Sequence, residues 1–264
     1  LYYNKAWKLL KYPSGAVQPK HRSKHAMTMI AGTSSVLMFG GSTSEISKRS
    51  QQYVHDILNE AWVFTYDKGW TNVTGSKSQT MPPARIDSAM APIGKKLVLL
   101  FAGRHLDKMP HQDTWIYNHS VANLEERWRR VHPATSPRSR TNHAMVDFDD
   151  NCVVLYGGTD PRTRELFDDV WIFNRTTNTE NWHRFLHIQN VGSPTKRKFP
   201  GLARLHSAEQ ERRMLLFGGQ DAENGNDLSD AYVLDFKTRK WDTVTYFVSP
   251  IERSHHASAG SFLF

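Results

Sequence analysis

Four short apolar runs, at 36–41, 97–103, 153–158 and 214–219, each end in glycine, and their last glycines, Gly41, Gly103, Gly158 and Gly219, recur at a nearly constant interval. A second series keeps step with them. Trp7, Trp70, Trp128, Trp182 and Trp241 recur at the same interval in a different phase. Two independent markers with one period of about 60 residues mean a single supersecondary unit repeated along the chain, somewhat above the roughly 50 residues of propeller-type repeats and well above helical-repeat lengths. Two more markers share the period: Trp62, Trp115, Trp171 and Tyr232 open apolar-alternating runs, and basic-led segments at 22–27, 85–90, 140–145 and 204–208 precede each glycine run.

Each unit therefore reads as four short strands, A to D: a small-residue strand such as Asn142-His143-Ala144-Met145-Val146, an apolar strand ending in glycine, an aromatic strand, and a Trp-led strand. Such a unit cannot bury both faces alone, and radial stacking of units solves the problem by packing sheet on sheet. Small A strands suit the crowded inner position. Continuous apolar B strands suit burial on both faces, and the large aromatics of C and D fill the widening wedge. Glycine after strand B lets the chain turn at positive φ without a Cβ clash.

The series of Arg, then His-Ala-Met or Ser-Ala-Met, then Phe-Gly-Gly or Tyr-Gly-Gly, then Trp-Ile-Phe or Trp-Val-Phe, then Trp, resembles the kelch repeat from Trp7 to the last residues. The resemblance implies an all-β fold, a kelch-type β-propeller, with residues 1–264 as one domain. Four complete blades are expected at about 22–74, 85–132, 140–187 and 203–246, with partial blades at 1–10 and 253–264. The second unit has Ala102-Gly103 for the glycine pair, the fourth has Tyr232 for the strand-C tryptophan, and its strand A is expected to run into the polar Glu209, Gln210 and Glu211. Residues 1–10 supply a D strand without its partners and 253–264 an A strand that stops. The expectation is a fragment of a longer propeller of five to seven blades, the alternative a strained four-bladed ring. Gly40, Gly41, Trp62, Trp70, Gly103, Trp115, Trp128, Gly157, Gly158, Trp171, Trp182, Gly218, Gly219 and Trp241 are assigned to the structural repeat, and Trp171 is expected to be buried.

Charge narrows the partner. The chain carries 34 Lys and Arg against 26 Asp and Glu, a formal +8, which biases it towards acidic surfaces or other polyanions. That charge is concentrated in the D to A loops (11–24, 75–86, 133–141, 188–203), which hold eleven basic residues and no Asp or Glu, whereas the B to C loops (42–59, 104–112, 159–168, 220–229) are slightly acidic. Both sets open on one propeller face. Arg22, Arg85 and Arg140 recur at a fixed repeat position and read as framework. Lys20, Lys24, Lys77, Arg138, Lys196, Arg197 and Lys198 remain as a candidate rim for an acidic peptide or domain, through field focusing and charge-assisted hydrogen bonds. The plain alternative is a solvated basic surface. The long 42–59 loop is either a binding lip or an insertion.

Other chemistry is thinly represented. One cysteine, Cys152, excludes an internal disulfide framework and multi-thiolate metal sites. Among thirteen histidines, His25, His143, His255 and His256 recur at the strand-A position and read as satisfied structural imidazoles; no His-Glu-x-x-His or Cys-x-x-Cys exists. No metal, cofactor or catalytic cluster is expected, nor a specific nucleic-acid partner, and no apolar stretch approaches the length of a membrane span. Sequons at Asn72, Asn118 and Asn174 are no more numerous than chance, and the near absence of cysteine leans towards the cytosol, with an extracellular kelch ectodomain as the alternative. The sequence thus points to a non-catalytic adaptor or scaffold module. The alternative is a carbohydrate-directed propeller, lectin-like or enzymatic.

Overall fold

The computed structural model describes residues 10, 15–46, 53–76, 80–105, 107, 109–188, 192–206, 212–221, 225–245, 252, 254 and 261–263. Blade one consists of β1 (Ala26–Ile30), β2 (Ser35–Phe39), β5 (Ala61–Thr65) and β6 (Gly69–Asn72), in that order across the sheet; its long B to C loop folds into a separate hairpin of β3 (Ser42–Ile46) and β4 (Tyr53–Ile57). Blade two holds β7 (Ala89–Pro92), β8 (Leu97–Phe101), β9 (Thr114–Asn118) and β10 (Trp128–Val131). Blade three holds β11 (Ala144–Asp149), β12 (Cys152–Tyr156), β13 (Val170–Arg175) and β14 (Glu180–Phe185). Blade four holds β15 (Gly201–His206), β16 (Arg213–Gln220), β17 (Asp227–Asp235) and β18 (Lys240–Thr243). Neighbouring strands within these four blades pair antiparallel.

The apolar B strands are buried because their alternate residues enter different cores. In β8, Val98 and Leu100 join the core between blades one and two, while Leu99 and Phe101 join the core between blades two and three. In β12, Val153 and Leu155 face blade two, whereas Val154 and Tyr156 face blade four. A strand buried on both faces needs no polar alternation, which is why these runs read as continuous hydrophobics. The strand-D tryptophans lock the blades together. Trp128 tilts against Phe39 of the preceding blade at 5.1 Å, Trp182 against Phe101 at 4.9 Å, and Trp241 against Tyr156 at 5.7 Å between ring centroids. Trp70, at the same repeat position in blade one, is half-buried and packs on Phe64 of its own blade.

Three expectations change. Ser261–Leu263, read as the A strand of a further blade, forms β19 and runs parallel to β15, pairing Arg204 with Ser261 and Leu205 with Phe262. The inner edge of β15 offers a row of unpaired N–H and C=O groups that such a segment satisfies. Strand A of blade four begins at Gly201, so its basic marker is Arg197 rather than Arg204, which sits mid-strand; Glu209, Gln210 and Glu211 fall outside the described residues, as do Trp7, His255 and His256. Trp171 is only half-buried, while its indole N–H donates to the Asp169 carboxylate at 2.7 Å.

Candidate functional site

A repeated ion-pair framework underlies the face bearing the D to A loops. Arg85 sends Nη1 and Nη2 to the two oxygens of Asp113 at 2.7 and 2.8 Å, Nη1 also to the Ala102 carbonyl at 2.8 Å, and Nε to the Pro83 carbonyl at 3.0 Å. Arg140 repeats the pattern on Asp169, Gly157 and Arg138, and Arg22 on Glu60, Gly40 and Lys20. The carboxylate then accepts the indole N–H of the strand-C tryptophan: Trp62 on Glu60, Trp115 on Asp113, Trp171 on Asp169. Burial pushes the Asp113 and Asp169 carboxyls up, but the bidentate hydrogen bonds and charge of their arginines outweigh it and hold both below the usual carboxylate range.

Arg197 belongs to this framework and not to the rim. It is fully buried, its Nη atoms grip Asp230 at 2.6 and 2.9 Å, Nη1 also reaches the Gly218 carbonyl, and Nε reaches the Thr195 carbonyl. A partner cannot reach this guanidinium. The sequence does carry a signal for this role: Arg22, Arg85, Arg140 and Arg197 keep the interval of the glycine series, and an acidic residue stands two places before each strand-C aromatic.

Two residues beyond each framework arginine the backbone turns left-handed. Lys24, Asp87 and Asn142 have φ of 58° and Phe199 has φ of 55°. Their peptides link blade to blade, the Asp87 N–H donating to Lys24 O at 3.2 Å, Asn142 N–H to Asp87 O at 3.2 Å, and Phe199 N–H to Asn142 O at 2.8 Å. The glycine pairs beside them are required by close approach. A Cβ on Gly157 would lie 2.8 Å from the Arg197 carbonyl oxygen, and one on Gly158 2.7 Å from that of Thr141.

This left-handed series lines a cleft of about 560 Å3 at which all four blades meet, with His25, Ser88, Arg104, His143 and Pro200 completing its wall. A second cleft, of about 480 Å3, shares Arg104 and Asn142 with it and extends to Thr159, Asp160, Arg164, Lys198 and Asp221. Arg104 is closed onto Asp87 by a 3.1 Å hydrogen bond. His143 was expected to be a satisfied imidazole. It is buried, edge-on to Phe101, but neither ring nitrogen has a hydrogen-bond partner among the described residues; desolvation and then the Arg140 charge lower its pKa to about 3. His25 is likewise lowered by burial and by Arg22.

Of the expected rim, Lys24 lines the first cleft and Lys198 the second. Lys20 and Lys196 are exposed on their loops, and Lys77 lies outside the described residues. Arg138 is exposed but engaged, bonding Glu165 at 2.9 Å and Asp160 at 3.1 Å. The ammonium of Lys198 lies 5.7 Å from the centroid of the Phe199 ring. Among the described residues no group of three or more His, Cys, Asp or Glu is placed to hold a metal, and no helix is long and apolar enough to cross a membrane. The Cys152 thiol is raised to about 11 by burial and the nearby Asp149. Asn72 and Asn118 each accept the backbone N–H two residues ahead, the geometry of a turn-forming asparagine.

Four-stranded antiparallel blades packed face to face in series define a β-propeller. The solved structure of YjhT shares this fold, with a TM-score of 0.60 over 88% of this chain and 68% of that one, at 13% identity. The KLHDC2/KLHL20/DRC7 Kelch-repeats domain matches residues 3–199 and a Kelch motif matches 204–247, so the chain belongs to the kelch-repeat family. An F-box/kelch-repeat protein of Arabidopsis thaliana is 27% identical over 98% of this chain and 56% of its own length. Adagio-like protein 1 of Oryza sativa subsp. japonica is 26% identical over 66% of this chain and 26% of its own. The chain spans about half the length of the first relative and a quarter of the second. Kelch-repeat domains are in general protein-interaction modules.

Proposed function

We propose that this chain is the recognition module of a larger adaptor or scaffold and that it holds an acidic protein segment against the face bearing the D to A loops. One observation carries the reading. Once the four framework arginines are consumed and Arg138 and Arg104 are paired, Lys24, Lys196 and Lys198 still have no carboxylate partner among the described residues, and the D to A loops supply none in sequence. Unneutralised ammonium groups on one face focus the field for an anionic partner and raise its association rate, with a steep dependence on ionic strength. No reaction is assigned to the module.

The test is affinity capture from matched cell extract, with the chain as bait beside a Lys20→Glu, Lys196→Glu, Lys198→Glu version. Acidic proteins held at low salt, released by moderate salt and missing from the reversed bait are the expected result. The same proteins in the same amounts on both baits would sink the reading.

A further inference from the structure

The blades stack in one direction, each turning a tryptophan-bearing face to the blade before it and a second apolar face to the blade after it. Three such junctions occur, Trp128 meeting Phe39, Trp182 meeting Phe101 and Trp241 meeting Tyr156. All three are sealed. The tryptophans are 4%, 0% and 1% exposed, and their companions Val98, Val153 and Met214 are fully buried, as are Leu37, Leu99 and Val154 in strands β2, β8 and β12.

Both halves of a fourth junction stand at the two ends of the array. On blade one, cross-strand register aligns Met27, Met38 and Trp62 in one row and Met29, Val36, Phe64 and Trp70 in the next, on the face turned away from blade two. Val36 and Trp70 hold the repeat positions of Val98 and Trp128 but are only half-buried, and Met27 and Met29 are 56% and 59% exposed. Met90, at the position of Met27, is 7% exposed. On blade four, Leu215 and Val233 point away from the core shared with blade three, to which Met214, Leu216 and Leu234 belong. Leu215 holds the position of the buried Leu37, Leu99 and Val154 and is half-buried, and Phe217 stands at the position that receives the tryptophan in the other junctions.

An exposed apolar sheet face marks an interaction surface, and methionine adapts to the contour of whatever covers it. The three internal junctions define what fits the blade-one face: a blade face of strand-B aliphatics with an aromatic residue beside the glycine. The chain carries that complement at its other end. We infer that the chain self-associates head to tail, the blade-one face of one copy docking on the blade-four face of a second copy. The contact joins two different patches and is therefore heterologous. Two copies joined at both ends hold eight blades, within the usual span of propellers.

The test is sedimentation velocity of the full chain across a dilution series, at low and moderate salt. Expected is a concentration-dependent species of twice the single-chain mass that survives moderate salt, unlike the salt-released capture of an acidic partner. Met27→Glu with Met29→Glu should weaken association at least about 10-fold. Both side chains are exposed, and circular dichroism checks that the variant folds. Leu215→Glu, or Val233→Glu if the first fails to fold, should weaken association similarly from the other end. The two variants mixed, one of them fluorescently labelled, should pair with each other although neither pairs with itself, since each retains the face the other has lost. A wild type that stays single at every concentration overturns the inference and leaves the blade-one face to another occupant. Equal pairing after the methionine changes, or release by moderate salt, overturns it as well. So does a Leu215→Glu chain that still pairs with itself, because like faces would then be meeting. None of these results bears on the acidic-partner reading, which concerns a different face.

Discussion

Arg140 and Asn142 stand two residues apart, and the same pair of positions recurs in every blade with opposite outcomes. The first position is Arg in all four blades, buried and fully bonded. The second is Lys, Asp, Asn and Phe, and only its backbone is constant. A guanidinium that must satisfy a carboxylate, a carbonyl of its own loop and a carbonyl of the strand-B end at once tolerates no substitute. A residue whose constant duty is carried by its peptide N–H and C=O can vary its side chain from blade to blade. Repetition within one chain thus separates the groups that make the propeller from the positions at which the side chain varies.

The contrast is broken most forcefully at the arginine. Arg140→Ala leaves the Asp169 carboxylate, 14% exposed, without its counter-charge and should cost about 3–5 kcal/mol, read from urea denaturation; a loss below about 1 kcal/mol would reduce the pair to decoration. Of similar size is Trp182→Ala, since that side chain is fully buried between Phe101 and Phe173, at about 3–5 kcal/mol. Trp171→Ala should cost clearly less, because Trp171 is half-buried; equal losses would contradict the difference in packing.

Acid should act next. His143 is neutral in the fold with its pKa lowered to about 3 from 6.5, so its contribution is complete above pH ~6.5, where the unfolded chain is also neutral, and is lost as pH falls towards 3 while the unfolded chain takes up the proton. The urea midpoint should fall between pH 7 and 5, and His143→Phe should flatten that slope by up to about 1.4 kcal/mol per pH unit. Below about pH 4 the depressed carboxyls of Asp113 and Asp169 add a second loss, since their stabilisation vanishes as pH drops through their folded pKa. The smallest effect has the opposite sign. Ala102 holds φ of 57° where blades one, three and four have glycine, so Ala102→Gly should raise stability by roughly 0.5–1 kcal/mol, seen as a higher melting midpoint.

The propeller was legible because its cores are periodic. Val98 to Phe101 and Val153 to Tyr156 are apolar without alternation since both faces are covered, and the strand-D tryptophans of blades two to four recur since each closes a wedge against the preceding blade. The rim was only partly legible. Composition sees a cation and not its partner, so Arg197 read as free charge although Asp230, 33 residues away, neutralises it. Arg138 likewise gave no sign of Glu165 and Asp160.

By itself, then, the sequence determined the repeat, the order of strands in each blade and the positions that must turn, since these follow from local periodicity and from backbone sterics. Only the tertiary structure decided which charges are spent, that β19 runs along β15 instead of opening a blade, and that Lys24, Asn142 and Phe199, far apart along the chain, line one cleft. Coulomb and hydrogen-bond partners are chosen by distance in space, and a linear pattern carries no such distance.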